Sequence, residues 1–213
     1  MSRIIVLIDG FNLYHALDFS PVHKRPDNPL RYRKYKWLNL AKLAECYAIE
    51  PGDTIEGVYY FTALAYWNPS KVSRHQTYIA ALENEGVQVI YGEFKDKKKR
   101  CTLCHKLFPT HEEKQTDVNI AVTLFQFAVE NQYDKVIIIS GDTDQLPAVR
   151  LVQSKFPEKK VGVVIPIGKA SEDFKKTADF HYKMREKHLQ ASLLDDPYTL
   201  PSGNQLVCPP SWK

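Results

Sequence analysis

Three observations predict an α/β fold of three layers around a mostly parallel central sheet. Short apolar runs of strand length recur at residues 4–8, 135–140 and 161–165. Segments with helical apolar spacing alternate with them. The runs are apolar throughout rather than every second residue, as expected of parallel strands covered on both faces.

The elements follow in order. Residues 4–8 form the first buried strand, and Asp9 ends it. The segment from residue 15 to about 35 is polar and Pro-rich, which predicts a long loop. Residues 37–47 carry helical spacing, with Leu40, Leu43, Ala44 and Tyr47 in register. Pro51-Gly52-Asp53 is turn chemistry, and residues 54–62 form a second strand. Ser70 is a candidate N-cap for a helix reaching about residue 85. Gly86 closes that helix, and residues 87–91 form a third strand. Residues 95–111 break the pattern and read as an inserted loop, basic first and then Cys/His-containing. A long helix over 111–131, a fourth strand at 135–140, a helix at 145–155 and a fifth strand at 161–165 follow. A short helix from about 171 and a last element near 178–182 complete a domain of residues 1–185. The Pro-containing stretch 186–213 reads as an extended, peripheral tail.

The chain's 213 residues, 44% of them hydrophobic, suit one large domain with a sizeable core. Lys plus Arg is 29 and Asp plus Glu is 25, a net charge of +4 that selects no partner by itself. No stretch approaches the roughly 20 apolar residues of a membrane span. The first apolar run is too short for a signal peptide and stops at Asp9. Four cysteines, of which only Cys101 and Cys104 are close, do not make a secreted disulfide framework. These points predict a cytoplasmic protein with no membrane partner. The oligomeric state is left open, a homo-oligomer included.

Candidate chemistry sits on carboxylates. In such a fold ligands bind where strands end at the carboxyl edge of the sheet. Asp9 follows the first strand, and Asp142 and Asp144 follow the fourth. Asp117 begins the helix between the third and fourth strands, with Ala121, Leu124 and Ala128 on the same face. A carboxylate extending an apolar stripe is costly without a partner. A hard divalent cation, Mg²⁺ or Mn²⁺, supplies one. Structural readings stand beside each residue. Asp9 can start a turn with Gly10, Asp142 or Asp144 can cap the next helix, and Asp117 can be a first-turn acid favoured by the helix dipole. The convergence of all four on one edge favours a metal site. No Ser/His/Asp arrangement or Gly-rich phosphate loop competes. A haloacid-type phosphatase needs a second acid two residues after Asp9, where Phe11 stands.

Ile8-Asp9-Gly10-Phe11-Asn12-Leu13-Tyr14 resembles the opening motif of NYN-domain proteins, a branch of the PIN-like nucleases. Glu113-Lys114-Gln115-Thr116-Asp117-Val118 resembles the family's Lys-x-x-Asp-Val helix start. Ser140-Gly141-Asp142-Thr143-Asp144 resembles its Ser-Gly-Asp-x-Asp loop. The resemblance covers residues 1–185 and implies a PIN-like (Rossmannoid) ribonuclease using Mg²⁺ or Mn²⁺. It makes Asp9, Asp117, Asp142 and Asp144 metal-binding acids and places Asn12 in the site, or alternatively at a turn. Gln145 departs from the aromatic that usually follows the last acid. A non-catalytic RNA-binding module and a DNA or flap-type nuclease are the alternatives, since 2′-hydroxyl contacts are not legible in sequence.

The insertion offers two further expectations. Cys101 and Cys104 can clasp zinc, with His111 a better third ligand than His105. The other reading is a reduced thiol pair on a surface loop. Lys97, Lys98, Lys99 and Arg100, with Lys114, can contact RNA phosphates. Tyr66, Trp67, Tyr91 and Phe94 can stack on bases. Solvated charge and core packing are the alternatives for these two groups.

Overall fold

The computed structural model describes residues 1–18 and 32–213. Most of the loop expected over 15–35 lies outside those residues. Six parallel strands form the central sheet in the order β3-β2-β1-β6-β7-β8. They are β1 (Ser2–Asp9), β2 (Asp53–Thr62), β3 (Gln88–Tyr91), β6 (Lys135–Ile139), β7 (Lys160–Ile165) and β8 (Phe180–Lys183). β4 (Glu93–Arg100) and β5 (Leu107–Lys114) form a separate antiparallel pair.

Strand composition explains the layers. Side chains alternate faces along a strand. Ile4, Val6 and Ile8 enter one apolar cluster with Ile137 and Ile139 of β6. Ile5 and Leu7 enter the other, with Val136 and Ile138. The first cluster is covered by α1 (Gly10–Asp18), α2 (Leu40–Glu45) and α3 (Pro69–Asn84). The second is covered by α4 (Thr116–Val129), α5 (Leu146–Lys155) and α6 (Glu172–Thr177). An apolar residue at every β1 position from 4 to 8 is therefore a requirement of burial on both sides.

The strand order also creates a crevice. β1 connects leftward to β2, whereas β6 connects rightward to β7. The β1/β6 boundary is thus the point where the winding reverses, the usual ligand position in open α/β sheets. Ile8 pairs with Ile139 there, so Asp9 and Ser140 leave the sheet side by side.

Four expectations change within the first 185 residues. The inserted loop is a regular hairpin, because Glu93–Arg100 and Leu107–Lys114 pair along their full length. That pairing takes 111–114 into β5, so α4 begins only at Thr116. The cap of α3 is Asn68, whose side chain accepts from Lys71 N, with Pro69 at the first turn. The chain after Tyr14 stays helical to Asp18.

The stretch 186–213 is neither extended nor peripheral. It contains α7 (Glu186–Ala191), a small antiparallel pair of β9 (Tyr198–Thr199) with β10 (Gln205–Leu206), and a final 3-10 turn at Pro210–Trp212. Leu189, Leu194, Tyr198, Cys208 and Trp212 all join the first apolar cluster. Trp212 packs against Trp37 and Tyr78, with ring centroids 6.4 and 5.5 Å away. The Trp37 indole donates to Asp195 O at 2.9 Å. The aromatic content of the tail, rather than its prolines, decides its position. Among the described residues no helix is long and apolar enough to cross a membrane.

Candidate functional site

Asp9 is the last residue of β1 and is only 4% exposed. Its Oδ1 accepts from Asn12 N at 2.9 Å, capping α1, and its Oδ2 accepts from the Ser140 hydroxyl at 2.8 Å. Burial pushes the carboxyl up to about 6, against the pull of those two hydrogen bonds. Nearby Asp117 and Asp142 push the same way. The next residue leaves no room for a side chain. A Cβ on Gly10 would meet Phe61 O and the Tyr60 ring at 2.6 Å.

Ser140 and Asn12 stitch the crevice together. Ser140 Oγ donates to Asp9 and accepts from Asp142 N at 3.0 Å. Asn12 Oδ1 accepts from Gly141 N at 3.0 Å. Asn12 therefore holds the loop after β6 against the start of α1. Asp142 caps the 3-10 turn Thr143–Gln145 through Asp144 N at 3.2 Å. Asp142 thus caps this turn, while α5 itself has Gln145 at its N-cap position and no side-chain cap from either acid, and Asp144 is exposed.

Asp117 arrives from the first turn of α4, anchored by the buried Ile120, Thr123, Leu124 and Phe127. Its carboxyl is raised, first by burial and then by Asp142. Gln145, 1% exposed, points its amide toward Asp117 and favours the charged form, without a fully formed hydrogen bond. One carboxylate oxygen each from Asp117, Asp142 and Asp144 lies within 4.8 Å of the others. Three hard oxygen donors at that spacing fit a divalent cation. Among the described residues this is the only such cluster. Asp9 stands behind it, lining the same cavity of about 400 Å³ with Asn12, Glu113, Asp117, Asp142 and Lys169.

Several of these residues escape sequence reading. Ser140 is visible only as part of a motif; its bridging role needs the sheet register. Lys169 follows β7 at the same sheet edge, so strand order could have found it. It sits beside Gly141, whose added Cβ would approach Lys169 Cβ at 3.3 Å. His15 also lines the cavity and is held below its usual pKa, by burial first and then by Lys169. Gln145, which looked like a departure, is the buried amide next to Asp117.

The structure does not bring His111 to Cys101 and Cys104. His111 pairs with Asp96, whereas the thiols lie beyond the Arg100–Leu107 pair at the far end of the hairpin. Four ladder steps at about 3.4 Å put it roughly 14 Å away. His111 instead hydrogen-bonds Asp96 at 2.8 Å and stacks on Trp67 at 3.7 Å. In the basic run, Lys97 pairs with Glu112, as does Lys114. Lys98, Lys99 and Arg100 are exposed along β4. Trp67 and Phe94 meet edge to face at 4.6 Å, while Tyr66 and Tyr91 are exposed.

A second cavity, of about 470 Å³, adjoins the acidic one and shares Phe11, His15 and Glu113 with it. Its walls include Tyr60, Trp67, Phe94, Lys71, Arg74 and His75. Burial, then Arg74, pushes His75 down to about 4.

Comparison with known proteins adds three findings. A family model described as NYN domain matches residues 3–185. The chain is 26% identical, over 99% of its own length and 75% of the relative's, to a Pseudomonas putida protein named 6-hydroxy-3-succinoylpyridine 3-monooxygenase HspA. A crystal structure of a Vibrio parahaemolyticus protein of unknown function is similar with a TM-score of 0.55 and 20% identity. That match covers 91% of this chain and 96% of that one, and it supports the fold alone.

Proposed function

The chain belongs to the NYN domain family, and on that premise we propose that it is a metal-dependent ribonuclease hydrolysing RNA phosphodiester bonds. The fold is nuclease-like and carries an acidic cluster. The observation that carries the proposal is that cluster's place, at the β1/β6 switch point, with Lys169 lining the same cavity.

Asp117, Asp142 and Asp144 would hold Mg²⁺ or Mn²⁺, with Asp9 behind them. Such a cation supplies a lowered water pKa and charge stabilisation at the leaving oxygen. The chain's own residues do the rest. Ser140 and Asn12 fix the loop that carries Asp142, so the carboxylates are set before substrate arrives. Lys169 meets a phosphate oxygen as the cation lining the acidic cavity. Lys98 and Arg100 hold the strand electrostatically, and Trp67 with Phe94 offers a stacking surface beside the site.

The test is cleavage of labelled RNA and DNA with Mg²⁺, Mn²⁺ or EDTA, using wild type, Asp117→Asn and Asp142→Asn. The expected result is RNA cleavage lost in EDTA and in both variants. Cleavage surviving all three refutes the carboxylate–metal mechanism. Preference for DNA makes it a DNA nuclease, and binding without turnover makes it an RNA-binding module.

A second reading rests on the aromatic cavity and on the Pseudomonas relative, whose name describes oxygenation of a substituted pyridine. Phe11, Tyr60 and Trp67 can enclose a flat ring, and Lys71 and Arg74 can meet a carboxylate. Calorimetric titration with 6-hydroxy-3-succinoylpyridine distinguishes the two readings. Saturable binding lost in Arg74→Ala favours the small-molecule substrate.

A further inference from the structure

The β4–β5 hairpin ends in Cys101-Thr102-Leu103-Cys104-His105-Lys106, which puts two free cysteines at one exposed tip. Cys101 N donates to Lys106 O, and His105 N donates back to Cys101 O, both at 2.9 Å. His105 takes a left-handed φ of 56°, uncommon for a residue with a side chain. Within this turn the Cys101 thiol is held below its ordinary pKa by the nearby backbone of Cys104 and Leu103 and by the Cys104 side chain. Backbone donors to sulfur favour the thiolate, the form that binds metal. Both cysteines are free.

Two thiolates are half of a tetrahedral zinc shell, because structural zinc takes four protein ligands. The described residues do not supply the other two locally. Among the described residues no group of three His, Cys, Asp or Glu ligand atoms forms here. His111 is held by Asp96 and Trp67. The tip is also unusually apolar for an exposed turn: Leu103 is 91% exposed, Leu107 60% and Phe108 46%. Exposed apolar side chains around incomplete ligands mark a contact surface. Four thiolates around one zinc leave two net negative charges, which Lys99, Arg100 and Lys106 flank.

We propose that the hairpin tips of two copies of this chain meet across a shared zinc ion, with Cys101 and Cys104 from each completing a four-thiolate site. The arrangement is a two-fold, self-complementary contact, and the site is incomplete without the second copy. Each thiol that binds loses its proton to solvent, so affinity falls as pH falls.

The test uses the full chain under a thiol-free reductant, with excess Mg²⁺ to occupy the aspartates. Mass is measured by sedimentation and bound zinc by elemental analysis, after metal removal and after zinc return. Wild type is expected to double in mass on zinc addition and to bind one thiolate-ligated zinc per two chains. Cobalt substitution should give the absorption of a thiolate-rich tetrahedral site. Cys101→Ser with Cys104→Ser should remain monomeric and lose that absorption, at an unchanged melting temperature. Leu103→Glu keeps both thiols and should raise the zinc concentration needed for dimerisation. A monomer holding its own thiolate zinc, a dimer that persists without the cysteines, or no zinc uptake overturns the proposal.

Discussion

Asp9 shows how one residue can work against the fold that holds it. Its carboxyl titrates at about 6 in the folded chain, above the ordinary carboxylate value of 3.8. The folded state therefore binds that proton more tightly than the unfolded state does. The associated stability is fully present below the unfolded pKa and is lost as pH rises through about 6. About two pKa units correspond to a loss on the order of 3 kcal/mol at neutral pH without metal. Asp9→Asn should thus melt above wild type at pH 8 in EDTA, with the gap closing toward pH 4; Ser140 can turn its hydroxyl to accept from the new amide. A thermal series across pH checks this, and a lower melting point at pH 8 contradicts it. Lys169 makes a separate prediction. Lys169→Ala should lower RNA cleavage by about 100-fold, the scale of losing one charge-stabilising donor, with Mn²⁺ affinity preserved. It should also raise the His15 pKa in NMR titration, since Lys169 now pushes that value down.

At the scale of elements, the hairpin register divides a run of like charges into two faces. Paired residues on an antiparallel ladder share a face, and alternate pairs switch. Lys98 and Arg100 lie on the face of Phe94, His111 and Glu113, which line the cavities, whereas Lys97 and Lys99 lie on the other. Lys98→Glu with Arg100→Glu should weaken RNA binding and flatten its salt dependence by about two phosphate contacts. Lys97→Glu with Lys99→Glu should have the smaller effect, measured by binding at several salt concentrations. The α3 cap makes a simpler prediction: Asn68→Ala should cost about 1 kcal/mol in denaturant unfolding. The same contrast explains what was legible in the sequence. Uniformly apolar strands announced themselves, and so did the acids that terminate them. The hairpin did not, because its strands are polar on both faces and carry no apolar alternation. The roles of Ser140 and Lys169 depend on β1, β6 and β7 being neighbours, a fact of pairing over long sequence distance. The cap of α3 is not legible because Asn68 and Ser70, two residues apart, are both good capping residues, and the structure uses Asn68.

For the whole molecule, the stretch 186–213 is part of the core rather than an appendage. Trp212→Ala should destabilise the fold by about 3–5 kcal/mol, the usual cost of deleting a buried large aromatic. Chemical unfolding reads this directly, and a change below about 1 kcal/mol would show that the tail is only laid on the surface. Its composition misled for a physical reason. Prolines exclude regular structure but do not prevent burial, and Tyr198, Cys208 and Trp212 supply the apolar area.

The position of Trp212 has a bearing on how the chain comes into being. Domains generally fold as units, as soon as the residues that complete their core are available. Here the layer built on Trp37 and Tyr78 stays open to water until residue 212 has been added. The carboxylates are all translated well before that moment. A chain cut short of residue 212 therefore carries every acid of the site on a core that still lacks the Trp212 ring.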